Sequence, residues 1–156
     1  MNIKNNVDVV DIAILRELKT DCKQSYRDLA RKLSIHPNTL MQRIKKLEKE
    51  HVINGYYADI DYRKIGYDYH GVSMLRTKKS PVTENMWEFE DIKKIPQVEA
   101  IYALTGAYDA MAIIRVKNRE EMVEVLKKMQ QNQMIAKTNT QIILRTFKNP
   151  SEYNPL

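Results

Sequence analysis

Among 156 residues there are one cysteine, four glycines and five prolines. A lone Cys22 excludes an intramolecular disulfide and a cysteine-rich zinc site. The three histidines stand apart at 36, 51 and 70, without the spacing of metal ligands. A G-x-S-x-G elbow and a phosphate-binding glycine loop are both missing. Neither catalysis nor a bound cofactor or metal is therefore expected. No apolar run approaches the roughly 20 residues of a membrane-spanning helix. The opening MNIKNN lacks the apolar core of a signal peptide, which points to the cytoplasm. Low glycine and proline beside 43% hydrophobic and 29% charged residues fits a soluble globular chain, long enough for one domain or two small ones.

What the chain does have is positive charge, +6 in formal terms, which suits a polyanionic partner without proving one. Residues 1–66 hold 13 Lys and Arg against 9 Asp and Glu, and residues 67–156 hold 13 against 11, so the excess leans to the first half. There the stretch Ser25–Gly55 joins two short amphipathic segments across a tight break. Leu40, Ile44 and Leu47 have the i, i+4, i+7 spacing of a buried stripe. Off that stripe lie Asn38, Thr39, Gln42, Arg43, Lys45, Lys46 and Lys49, the amide, hydroxyl and cationic groups of a major-groove reading helix. The pattern predicts a helix-turn-helix.

Its supporting helix is expected over Val9–Leu18, with Asp8 as N-cap and Asp11 favouring the positive helix end. Ser25 and Asp28 open the second helix, Tyr26–Leu33, in a capping-box-like manner. Ser34–His36 is the turn. Pro37 suits the first helical position of the third helix and leaves His36 as N-cap, which serves either as a tolerated cap or as a phosphate or base contact. That helix ends near Glu50–His51, and Asn54–Gly55 marks a turn compatible with a hairpin wing or a simple hinge. Tyr56–Asp61 reads as a strand.

Beyond Gly66 the period changes. Strands are expected at Tyr69–Lys78, Val98–Thr105, Ala110–Lys117 and Thr138–Lys148, and helices at Pro81–Ile95 and Arg119–Gln130. In the first of these helices Met86, Phe89 and Ile92 keep helical spacing, with Thr83 as cap and Pro96 as stop. The order β-α-β-β-α-β is the ferredoxin-like pattern. Val98, Ala100, Tyr102 and Leu104 line one side of their strand, and Ile101 and Ala103 the other. Helices cover only one face of such a sheet, so a sheet apolar on both faces predicts a homodimer.

Several spaced motifs resemble the Lrp/AsnC family of feast/famine regulators. They are Val7-Asp8-x-x-Asp11-x-x-Ile14-Leu15, Asp21-x-Lys23-x-Ser25, Leu29-Ala30, Arg43-Ile44-x-x-Leu47-Glu48, Val52-Ile53-x-Gly55-Tyr56-x-Ala58 and Gly106-x-Tyr108-Asp109. The chain departs from that pattern at Ser34 and His51, where the family usually has glycine, and at His36, where it usually has a serine-like cap. The resemblance implies an α+β protein: a winged-helix-like HTH domain (1–55), a hinge strand (56–67), a ferredoxin-like effector domain (68–150) and a tail (151–156). It also implies double-stranded DNA as partner, dimers that assemble into tetramers or octamers, and an amino-acid effector near the glycine turn. The implied DNA-binding set is His36, Pro37, Asn38, Thr39, Gln42, Arg43, Lys45, Lys46 and Lys49. The implied effector set is Thr105, Gly106, Ala107, Tyr108, Asp109, Thr138 and Thr140.

Within these sets roles differ. Asn38, Thr39 and Gln42 are the base-reading candidates, because early positions on a reading helix reach deepest into the groove. The lysines suit phosphates or solvent, and Arg43 either braces the domain, holds a phosphate or reads guanine. Asp109 either receives an effector's ammonium or is a turn carboxylate satisfied by local N–H groups. Two other classes stay open: an architectural DNA-binding protein without ligand, and a metabolic amino-acid sensor or enzyme module.

Overall fold

The computed structural model describes residues 7–78 and 89–156. The chain divides into two compact units, one of Met1–Asp59 with Lys148–Leu156, the other of Ile60–Phe147.

The first unit is built on three helices, α1 (Val9–Thr20), α2 (Tyr26–Lys32) and α3 (Pro37–Lys49). Each starts where a side chain can accept the orphan N–H groups of the first turn. Asp8 accepts from Val10 and Asp11, and the Asp11 side chain answers with the Asp8 N–H, closing a full capping box. Ser25 caps α2, and His36 caps α3 with Pro37 just inside. Ile14, Leu18, Leu29, Ala30, Leu40, Ile44 and Leu47 form the core, as their periodicity predicts. The glycine-poor turns carry strain: Ser34 (φ 53°) and His51 (φ 55°) both occupy the left-handed region. The last residues, Asn154 and Leu156, dock on α1, where Arg16 Nε donates to the Leu156 carbonyl at 2.7 Å.

Residues 52–61 contain no strand, so the Tyr56–Asp61 expectation is corrected. Extended backbone becomes a strand only beside a hydrogen-bonded neighbour, and this segment has none within the described residues. No hairpin wing forms in this segment. Tyr56 is tied back to α3, because its hydroxyl donates to Glu48 Oε1 at 2.9 Å. Burial, then the Glu48 carboxylate, pushes that phenol's pKa up.

The second unit opens with a 3₁₀ turn at Tyr62–Ile65, closed by Gly66 at φ 87°. There follow β1 (Tyr69–Thr77), α4 (Glu90–Lys93), β2 (Val98–Ala103), β3 (Ala110–Val116), α5 (Arg119–Gln131) and β4 (Ile135–Ile142). The sheet is antiparallel with order β2-β3-β1-β4, the ferredoxin-like topology. Of the expected helix over 81–95, Thr83 and Met86 lie outside the described residues, while Phe89, Ile92 and Ile95 are buried. The last strand begins three residues earlier than its sequence suggests and stops at Ile142, opposite Gly71. Only the Ile143 N–H reaches further, to the His70 carbonyl, because β1 has few residues left to pair.

Alternation along β3 is strict, with Ala110, Ala112, Ile114 and Val116 buried under the helices beside Leu75, Met122, Val125 and Met129. A register shift between Val98 and Ala100 corrects the grouping read from β2. Val98 pairs with Ile114 and packs into the helix-covered core, whereas Ala100 and Tyr102 fall on the other face. That other face carries Val72, Met74, Ala100, Tyr102, Met111 and Ile113 across paired positions.

Replacing Ser34 or His51 by glycine relieves left-handed strain at exposed positions that bury nothing. Each substitution should raise stability by about 0.5 kcal/mol, the strain relieved exceeding the extra unfolded-state entropy of glycine. Urea denaturation checks this, and the alanine variants at the same sites should show no gain.

Candidate functional site

The α3 helix presents two surfaces. Leu40, Ile44 and Leu47 are buried, while His36, Pro37, Asn38, Thr39, Gln42, Lys45 and Lys49 are exposed. Lys46 is half-buried. Asn38, Gln42, Lys45 and Lys49 stand at i, i+4, i+7 and i+11, one continuous polar stripe opposite the core.

Arg43 leaves this stripe. Its Nη1 lies 2.7 Å from Asp8 Oδ2 and 2.8 Å from Asp11 Oδ1, and Asp11 is 0% exposed. The guanidinium neutralises a buried carboxylate and joins α3 to the capping box of α1. Backbone donation from Asp11, then the Arg43 guanidinium, holds the Asp8 carboxyl below the usual carboxylate range. Arg43 is a brace. Met41 goes unnoticed in the sequence because its apolar side chain suggests core, yet it is 39% exposed on the reading helix. A thioether there can meet a thymine methyl.

The second cluster lies at one end of the sheet. Gly106 sits at φ 109°, a conformation only glycine adopts without strain. Arg76 Nε and Nη2 donate to the Ala107 carbonyl at 3.2 and 2.9 Å. Asp109 Oδ2 accepts from the Thr77 N–H at 2.7 Å and the Thr77 hydroxyl at 3.0 Å. Tyr108 accepts from Asn139 Nδ2 at 3.4 Å. Thr105–Asp109 are thus brought together with Arg76, Thr77 and Asn139, partners that no local motif announces. Thr138 accepts from Gln130 Nε2 at 3.4 Å, at a concavity of about 310 Å³ lined by Gln130, Ile135, Ala136, Lys137 and Thr138. Thr140 is turned instead to Ser73 on the helix side, with its hydroxyl 2.9 Å from the buried serine's.

These two arrangements have counterparts. Residues 7–48 match the AsnC-type helix-turn-helix domain, and residues 83–153 match the Lrp/AsnC ligand binding domain. An uncharacterised HTH-type transcriptional regulator of Pyrococcus abyssi is 32% identical over 96% of this chain and 99% of its own length. The chain belongs to the Lrp/AsnC family of transcriptional regulators. A second relative, transcriptional regulator AzlB of Bacillus subtilis, is 32% identical, with 91% of each chain covered. Among solved structures, a feast or famine regulatory protein from M. tuberculosis complexed with L-methionine superposes with a TM-score of 0.85 at 22% identity, covering 96% of this chain and 99% of that one. Among the described residues no helix is long and apolar enough to cross a membrane, and no group of three or more His, Cys, Asp or Glu could hold a metal ion.

His70, at the start of β1, sits among charged and aromatic partners. His70 Nε2 lies 3.3 Å from Arg115 Nη2 and 3.7 Å from Glu99 Oε2, and Arg115 stacks over Tyr62 at 4.5 Å. Burial, then the Arg115 charge, lowers its pKa, partly offset by Glu99.

Removing Arg43 strands Asp11, so Arg43→Ala should destabilise the protein by about 2 kcal/mol or more in chemical denaturation. Arg43→Lys should recover part of this, because one ammonium can bond both carboxylates as Nη1 does, though from a more flexible stem. For His70, the unfolded state takes up the proton more readily than the folded state. Its contribution is complete above about pH 6.5 and is lost as the pH falls below that value. Between pH 7 and pH 5, His70→Gln should therefore lose less thermal stability than the wild type.

Proposed function

We propose that the chain reads an operator in double-stranded DNA through Asn38, Thr39 and Gln42. In this reading Lys45, Lys46 and Lys49 serve phosphates, and Arg43 holds the helix without contacting bases. The observation that carries it is the polar stripe on α3, left exposed while Arg43 is withdrawn to Asp8 and Asp11. Asn and Gln amides pair bidentately with adenine edges, which gives such a stripe sequence discrimination.

The DNA-reading units act in pairs. Among the described residues no helix packs on the sheet face bearing Val72, Met74, Ala100, Tyr102, Met111 and Ile113, and Tyr102 remains 52% exposed. A second copy of the same face covers it in a homodimer, whose further assembly gives tetramers or octamers. Binding or assembly is tuned by an amino acid near the Thr105–Asp109 turn, a reading supported by the L-methionine bound to the structural neighbour. The protein then works in the cytoplasm, where its DNA and its effector are found.

A second reading is favoured by one observation. The Ala107 carbonyl and Asp109 Oδ2 already accept from Arg76 and Thr77. A turn with these acceptors engaged fits a ligand-independent architectural DNA-binding protein.

Asn38→Ala/Gln42→Ala should abolish selection of a preferred duplex from a random library, with thermal stability within a few degrees of wild type. Unchanged selection would remove α3 as the reading element. Ile113→Glu should convert the assembly to smaller species in sedimentation velocity if the open face is the interface. Genome-wide binding with and without L-methionine separates the two readings, since the architectural one expects no change.

A further inference from the structure

His36 does two jobs at the start of α3. We infer that His36 caps the reading helix through Nδ1 and, with its ring tautomer fixed by that bond, offers Nε2–H as a directed hydrogen-bond donor to DNA. The inference rests on the DNA-reading role of α3 and names a further contact of that surface.

The Asn38 N–H donates to His36 Nδ1 at 3.3 Å. A nitrogen that accepts carries a lone pair, so in the neutral ring the proton must sit on Nε2. The ring is exposed, and among the described residues Nε2 has no hydrogen-bond partner. It belongs to the same exposed end of α3 as Asn38 and Thr39, two of the base-reading residues.

The capping bond itself is longer than those of α1, α2 and α5. Asp8, Ser25 and Asn118 accept their capping bonds at 2.9, 3.1 and 2.8 Å, all shorter than the 3.3 Å of His36. A serine, aspartate or asparagine would cap better, but none extends further out than the level of the capping atom. Imidazole continues beyond it and carries a second nitrogen outward, at a helix end whose N–H dipoles already favour an anionic oxygen. The acceptor is a phosphate oxygen or a base-edge atom such as guanine N7 or O6, and both demand the same donor.

Two substitutions separate the roles. His36→Asn places an acceptor where Nδ1 stands and removes the distal donor. His36→Gln reaches toward the Nε2 position and gives up the cap. Full-length variants are titrated with a duplex that wild type selects from a random library, alongside a random-sequence duplex. His36→Asn should keep the thermal midpoint and bind the selected duplex about tenfold more weakly, the loss of one hydrogen bond to DNA. His36→Gln should lower the midpoint by about 2–4 °C and bind better than His36→Asn. An equal loss on both duplexes assigns the donor to phosphate; a loss confined to the selected duplex, with one position relaxed on reselection, assigns it to a base. Wild-type affinity in His36→Asn overturns the inference and leaves His36 a cap alone. Failure of wild type to select any duplex overturns the DNA-reading role as well, and so is distinguishable.

Discussion

The contact on which the first unit depends is that of Arg43 Nη1 with both Asp8 and Asp11. Asp11 is fully buried and closes the capping box of α1, so an uncompensated charge there would be intolerable. Arg43 supplies the compensation from α3 and thereby sets the third helix against the first. The reading surface follows from this. With its arginine drawn toward α1, α3 offers amide, hydroxyl and ammonium groups to the outside, and its C-terminal end is held by the Tyr56–Glu48 bond.

The second unit applies the same logic to a turn. Gly106 supplies the left-handed residue, Arg76 grips the Ala107 carbonyl, and Thr77 grips Asp109. Rigid attachment to β1 means that whatever touches this turn also touches the central strand pair of the sheet, since the Asp109 N–H bonds the Leu75 carbonyl. A site held this firmly can respond to a ligand only through differential contacts, which is the physical content of any effector role.

Much of this was legible residue by residue. Asp8, Ser25 and Pro37 announced their helix starts, because capping is local chemistry. Ser34 and His51 stood out where a left-handed residue was needed, and both adopt that conformation despite their side chains. The strands of the second unit followed from alternation, down to the strict pattern of β3. Their ends did not, because a strand stops where its partner stops, and Ile142 lies opposite Gly71 for reasons held in β1.

The sequence by itself determined the helix-turn-helix, the βαββαβ order and the buried stripes, since these rest on periodicity and on caps within three residues. Tertiary structure alone decided that Arg43 bonds Asp8 and Asp11, that Val98 joins the covered face through a bulge, and that Asp109 is held by Thr77. Arg43 and Asp11 are 32 residues apart, as are Thr77 and Asp109. Which groups meet across such a loop depends on how whole elements pack, and no local preference of either residue encodes it.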